Sequence, residues 1–238
     1  MNEERHLVVE LTRLVRALDA AADEDTRVQI AVRSAVSLVR GGAHGGFTVN
    51  EAGALLTAAS SDDVVSRADT LQCELGEGPY LDVMRDQDAL VSNDLRQEHR
   101  WPRWASRLHA ELGVGSMMSL LVHTGRCSYG VLSLYADHRR AFDGDAVAVG
   151  QALASHLAVM IGTGRQIGQL EIAMQSRTII GQAQGILMRD LNMSADRAFD
   201  YLRRLSSESN RKLSVIAMEI AHTRQVPLPP RSGRLAAS

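Results

Sequence analysis

The sequence predicts an α+β protein in two parts: a mixed helix-and-strand region to residue 164 and an all-helical region after it. Three observations carry that reading. Leucine and isoleucine recur at helical spacing before residue 40 and again after residue 144, as on the buried stripe of a helix. Short apolar runs lie between them ("FTVN", "ALLTAASS", "ALVSND", "MMSLLVHTG", "SYGVLSLYAD"), flanked by Gly, Ser or Asp as strands are. Charge is divided unevenly as well. Residues 1–164 hold 15 Arg against 22 Asp and Glu, a net of −7, whereas residues 165–238 hold 10 Arg and the chain's one Lys against 6 acids, a net of +5. The overall net charge of −2 conceals this split, and the basic part is the candidate for a polyanion.

Taken in order, residues 5 to about 40 follow a helical period. Leu7, Leu11, Leu14 and Leu18 share one stripe, and Ile30, Ser34 and Leu38 extend it beyond the acidic turn "DEDT". "GGAHGG" (41–46) then breaks the pattern before the first strands. Between the early and late strands the chain predicts a helix, a short strand at "ALVSND", and another helix after Pro102. Gly125 and Arg126 sit where a hairpin between the last two strands would turn. Leu153, Leu157, Met160, Gly164 and Ile167 then step by four and three, as the packing seam of a long helix does. The tail "PLPPRSGRLAAS" is Pro-rich and small, and residues 227–238 are expected to be disordered.

Composition removes several function classes. Hydrophobic residues at 45% and charged residues at 23% of the 238 are ordinary for a globular protein and exclude global disorder. Two cysteines, Cys73 and Cys127, are too few for a disulfide framework or a Cys-rich metal site, and Cys73 reads as a plain buried thiol. "MNEERHLVVE" begins acidic, and the apolar run "AVAVGQALASHLAVMIG" is broken by Gln151, Ser155 and His156. The expected location is therefore the cytoplasm, with no membrane partner. No Gly-rich phosphate loop with a Lys, His-Glu-x-x-His or Gly-x-Ser-x-Gly is present. "GEGPY" reads as a turn, and "DGD" lacks the further carboxylates of a calcium loop. No catalytic residue, metal site or cofactor is expected.

The stretches "LGEGPYLDVMRDQDALVSNDLRQEHRWPRW" and "VGSMMSLLVHTGRCSYGVLSLYADHRRAFDGDAVAVGQALASHLA" give residues 20–160 a resemblance to the GAF domain. That resemblance implies an antiparallel sheet flanked by helices, with a ligand-sized cleft under the helical excursion and a sensing role. In "FDGDAV", Asp143 and Asp145 suit a helix N-terminus electrostatically. The family's cyclic-nucleotide pattern needs a lysine, and this region has none. His99, His109 and His123 stand in no recognisable haem-ligating context. Neither ligand is expected to bind tightly, and the identity of any small-molecule ligand stays open. Trp101 and Trp104 flank Pro102 and suit either the cleft wall or the core.

The remaining segment is the most informative. Ile180, Ala183, Ile186 and Leu187 form one apolar face, and the small Ala183 and Gly185 invite close backbone approach. Ser194 suits an N-cap with Asp196 in the following turn, and Ala198, Leu202 and Leu205 form an inward face. Leu213, Ile216, Ala217, Ile220 and Ala221 make a third amphipathic stripe. Together they predict a three-helix bundle. "SRTIIGQAQGILMRDLNMSADRAFDYLRRLSSESNRKLSVIAMEIA" resembles the ANTAR family of RNA-binding antitermination modules across about residues 165–226. Arg177, Ala183, Gly185 to Met188, Ala198, Phe199, Leu202, Arg203, Ser206, Asn210 to Leu213 and Ala217 carry the match. The family usually has Lys where Gln184 stands. Arg189 is then the residue available to replace that contact.

Once the core faces are assigned, Gln184, Arg189, Tyr201, Arg203, Arg204, Ser206, Asn210, Arg211 and Lys212 remain as the candidate RNA-binding set. Guanidinium groups fork onto phosphate, Asn reads base edges, and Tyr offers a stacking plane. Other uses of this set are a solvated face with internal pairs such as Asp200 with Arg204, or an N-cap role for Asn210. By resemblance, the expected partners are RNA hairpins in a nascent leader transcript. The seam Leu153, Leu157, Met160, Gly164, Ile167 predicts a homodimer. The alternative readings are a DNA-binding regulator and a signalling scaffold that binds no nucleic acid.

Overall fold

The computed structural model describes the backbone of residues 2–225 apart from Gln87 and Arg126. The tail expected to be disordered lies outside the described residues, as do the side chain of Leu7 and the Arg126 turn position. The chain divides into two compact units, residues 1–164 and 165–238.

The first unit is built on a fully antiparallel five-stranded sheet of order β2-β1-β5-β4-β3. Its strands are β1 (His44–Glu51), β2 (Ala54–Ser60), β3 (Ala89–Ser92), β4 (Ser116–Thr124) and β5 (Cys127–Ala136). Alternation on the central hairpin sorts side chains to two faces. Met118, Leu120 and Val122 with Leu132 and Leu134 pack toward α1 (Asn2–Ala20), α2 (Glu24–Leu38) and the start of α6 (Gly144–Leu191). Met117, Val131 and Tyr135 join the opposite core, formed with α3 (Asp63–Leu75), α4 (Pro79–Asp86) and α5 (Pro102–Leu112).

Two local expectations are corrected here. The inward face of α2 is Val28, Ala31, Val32 and Ala35, with Ile30, Ser34 and Leu38 only half-buried. Asp23 caps α2 by accepting from the Thr26 amide at 2.7 Å, which restarts the helix out of phase with the first stripe. The "GGAHGG" stretch is also more than a breaker, because β1 begins at His44. A Cβ at Gly45 would sit 2.6 Å from Val36 Cγ2, and one at Gly46 would sit 2.2 Å from Val65 Cγ1. These glycines let α2 and α3 lie directly on the strand.

Helix α6 runs unbroken for 48 residues. Asp143 starts it by accepting from the Ala146 amide at 2.8 Å, and Arg40 pairs with Asp143 and Asp145. Its length and composition are those of a membrane span, but Leu153, Ala154, Leu157, Ala158 and Ile161 are buried in the first unit's own core. That placement corrects the seam. Leu153 and Leu157 are 4% and 1% exposed, Met160 packs beside them, Gly164 is half-buried, and only Ile167, 51% exposed, faces solvent.

The second unit comprises the distal part of α6 with α7 (Ala195–Ser209) and α8 (Leu213–Thr223). Its core is Ala183, Leu187, Ala198, Leu202, Leu205, Ile216, Ala217 and Ile220. Gly185 is exposed, with open space where a Cβ would stand, so among the described residues no other backbone packs against it.

Candidate nucleic-acid interface

The basic residues of the second unit are set out by two capped helix ends. Ser194 Oγ accepts from the Arg197 amide at 3.4 Å and starts α7. Asn210 ends it in the left-handed region (φ 51°), its amide donating to Ser206 O. Asn210 is therefore the C-cap of α7 and not the N-cap of α8. Lys212 holds the latter position and makes no side-chain cap bond there. The Ser206 hydroxyl closes the junction by donating to Arg211 O at 2.6 Å.

At about 100° per residue, α7 divides the candidates between two flanks of its buried stripe. Phe199, Arg203, Ser206 and Asn210 follow one another on one flank, and Arg197, Tyr201, Arg204 and Glu208 on the other. The first flank leads directly into Arg211 and Lys212. It also carries an aromatic, matched as a family position but outside the candidate RNA-binding set: Phe199 is 38% exposed. Tyr201 is half-buried against the bundle core, and burial raises its hydroxyl pKa.

The charges on the first flank are open. Arg203 is 67% exposed and reaches Asp200 only at 3.8 Å, so in the alternative of internal pairs Asp200 faces Arg203 and not Arg204. Arg211 contacts Glu219 at 2.8 Å with both side chains about half exposed. Ion pairs of this kind are worth little in water and exchange readily for a phosphate. Among the described residues, Lys212 and Arg204 have no acidic partner. Arg189 pairs with its neighbour Asp190 at 2.6 Å. Gln184 has another use, since its Nε2 donates to Ala195 O at 3.2 Å and ties α6 to the first turn of α7.

The first unit presents a different kind of site. Asp69, 4% exposed, accepts from the hydroxyls of Thr48 and Thr57, each at 2.6 Å, and from Gln72 Nε2 at 3.1 Å. Burial raises the Asp69 pKa against those three hydrogen bonds, and among the described residues the buried hydroxyls of Tyr80 and Tyr135 have no hydrogen-bond partner within bonding geometry. Gln72 Oε1 in turn accepts from the Tyr80 amide at 2.9 Å. Glu77, in the "GEGPY" turn, accepts from the Trp104 amide at 2.7 Å and so caps α5 from a distance. Trp104 is fully buried with its indole N–H donating to Ala68 O, and Trp101 donates to Asp82. Both tryptophans are thus core residues with satisfied polar ends. Cys73 is exposed, not buried, because it follows Gln72 and turns off the inward face of α3; Cys127 is exposed at the start of β5. His99 is exposed, His109 Nδ1 contacts Val114 O, and His123 pairs with Asp88.

The first unit is an antiparallel sheet with helices on both faces, and the second is a basic three-helix unit. The family model of the GAF domain matches residues 21–162 and that of the ANTAR domain residues 168–220. The chain belongs to the GAF family and has the GAF–ANTAR domain architecture, that of a regulator. No curated protein matches it. Among solved structures, the chromophore-binding domain of a bacteriophytochrome from R. palustris aligns at TM-score 0.50 and 14% identity, covering 71% of this chain and 64% of that one. The GAF domain of a phosphoenolpyruvate-protein phosphotransferase from Coxiella burnetii aligns at TM-score 0.54 and 17% identity, covering 68% and 96%. The Stigmatella aurantiaca phytochrome photosensory core module aligns at TM-score 0.58 and 10% identity, covering 90% and 45%. The chain thus spans under two thirds of either phytochrome fragment. At these identities the likeness is one of fold.

Proposed function

We propose that residues 165–226 bind hairpins in nascent leader transcripts and that residues 1–164 gate this binding in response to a small molecule. Holding the hairpin form prevents a competing terminator helix from forming, so transcription continues. The protein acts by binding, in the cytoplasm, without covalent chemistry. The observation that supports this most is the ANTAR match coinciding with the open flank Phe199, Arg203, Asn210, Arg211, Lys212. Hairpin loops splay unstacked bases, which an exposed aromatic and a guanidinium plane can stack, while the arginines and Lys212 neutralise phosphates. The sensing unit has a buried polar group to answer to a ligand, Asp69 with the Tyr80 and Tyr135 hydroxyls, which have no partner among the described residues.

The working unit in this proposal is a homodimer through α6, with its contact moved beyond the sensor's core. Ile167, Leu170 and Met174 are 51%, 58% and 69% exposed and step by three and four, the spacing of a coiled-coil seam. Crosslinking in cells followed by sequencing of the bound RNA tests the function. Leader hairpins preceding terminators are the expected yield. Equal affinity for duplex DNA and hairpin RNA would support a DNA-binding regulator instead.

A further inference from the structure

The first unit, acidic overall, carries a concentration of arginine at one end of its sheet. The end of β3, the turn through Asp94 to Arg100, the start of β4 and the turn after β5 enclose an open basin of about 840 Å³. Arg96, Arg100, Arg139 and Arg140 line it against Asp94, Glu98 and Asp137. The acids are already engaged. Glu98, with a side chain only 7% exposed, is held by Arg100, whose guanidinium also donates to Val91 O and lies 4.5 Å from the centre of the Trp101 ring. Asp137 faces His44 at 3.2 Å. Asp94 caps the Arg96 amide and is shared by Arg96 and Arg139 at 3.3 Å each. Among the described residues Arg140 has no acidic partner.

The basin's walls are stitched together by backbone contacts. Leu95 N donates to Gly115 O, Arg140 N to Asn93 O at 2.8 Å, and Ser116 Oγ to His138 O at 2.7 Å. A Cβ at Gly115 would meet Asp137 O at 2.7 Å, so glycine allows the arginine-bearing turn to press onto β4. Arg140 itself adopts φ +55°, the region that favours glycine. The bond from Arg140 N to Asn93 O holds it in that conformation, and Arg140 lines the basin.

We propose that this basin binds the phosphate groups of a small phosphorylated molecule, through Arg96, Arg139 and Arg140. Guanidinium forks match phosphate oxygens two at a time, and the volume lies in the range of small-ligand sites. The site is independent of the RNA-binding reading, because every residue in it belongs to the first unit.

The test is calorimetric titration of the full chain with sodium pyrophosphate and, separately, with adenosine diphosphate at about 0.1 M salt. Saturable binding is expected for both, weakened at least about tenfold in Arg140→Gly and in Arg96→Gln. Arg140→Gly fits the backbone, so its tryptophan-monitored melt should match or exceed that of the parent. Tighter binding of the nucleotide than of pyrophosphate would identify a nucleotide ligand, and equal binding an inorganic polyphosphate. No saturable binding of either probe would overturn the proposal, as would binding that Arg140→Gly leaves intact. A loss of hairpin RNA affinity in Arg140→Gly without any pyrophosphate binding would also overturn it, and would assign the basin to the RNA backbone.

Discussion

In the unit of residues 1–164 a carboxylate as deep as Asp69 is held by three donors. In the second unit every described Asp and Glu is exposed, and Arg203, Arg204, Arg211 and Lys212 stand in solvent beside them. The first unit turns polar groups inward and uses them to fix one geometry, with Gln72 bridging Asp69 to the start of α4 and Glu77 capping α5 across the sequence. The second keeps a small, wholly apolar core and leaves its polar chemistry for something outside itself. Under the proposed function, the first unit answers to a ligand through buried groups sensitive to their partners. A unit that must meet a polyanion gains from cations whose own ion pairs are weak.

Substitutions on α6 break this contrast most severely. Leu157→Arg places a charge in the first unit's core and should cost about 4 kcal/mol or more. Trp101 and Trp104 are the chain's only tryptophans and both lie in that unit, so denaturant unfolding followed by tryptophan fluorescence reads it directly. Ile167→Arg, ten residues on and exposed, should leave that stability within about 0.5 kcal/mol and instead shift sedimentation from dimer toward monomer.

Next comes acid. The Glu98 carboxyl resists desolvation through its bonds with Arg100 and Ser92, which lower its pKa from 4.5 to about 2. Its contribution is therefore complete above pH 4.5 and is lost as pH falls toward 2, on the order of 2 kcal/mol, and Glu98→Gln should flatten that limb of the stability profile. Asp69 runs the other way. Burial raises its pKa, so the stabilisation tied to its bound proton is present below 3.8 and lost as pH rises through the folded value. Stability measured against pH in Asp69→Asn should lack that decline.

The smallest effect separates structure from recognition at Asn210. Asn210→Ala forces a Cβ-bearing residue with no local amide into the left-handed region and should cost the bundle about 1 kcal/mol. Asn210→Gly keeps the turn, so its melt by circular dichroism should hold while discrimination among hairpin loop sequences falls.

Much of this was legible in the sequence for physical reasons. The stripes Ala198, Leu202, Leu205 and Ile216, Ala217, Ile220 were readable because a short helix in a small bundle has one buried face. Ser194 and Asp143 were readable because capping is local. Long-range features were hidden. Helix α3 has a weak signal between clearer strands although Asp62 caps it, and Asp69 is indistinguishable from surface acids until β1 and β2 bring Thr48 and Thr57 to it. Leu153 and Leu157 showed a period but not which surface would cover it. Phe199 was readable as a family position, but its exposure depended on the angle at which α7 packs.

The role of the flank that ends in Lys212 is read from hairpin affinity measured as a function of salt. Binding should weaken with salt at a slope of about −0.7 per contacted phosphate. Lys212→Ala should weaken every hairpin alike and flatten that slope by about one contact, and Arg203→Ala and Arg211→Ala should act in the same direction with the fold intact. Full hairpin affinity and an unchanged slope in all three folded variants would mean that this flank does not bind RNA.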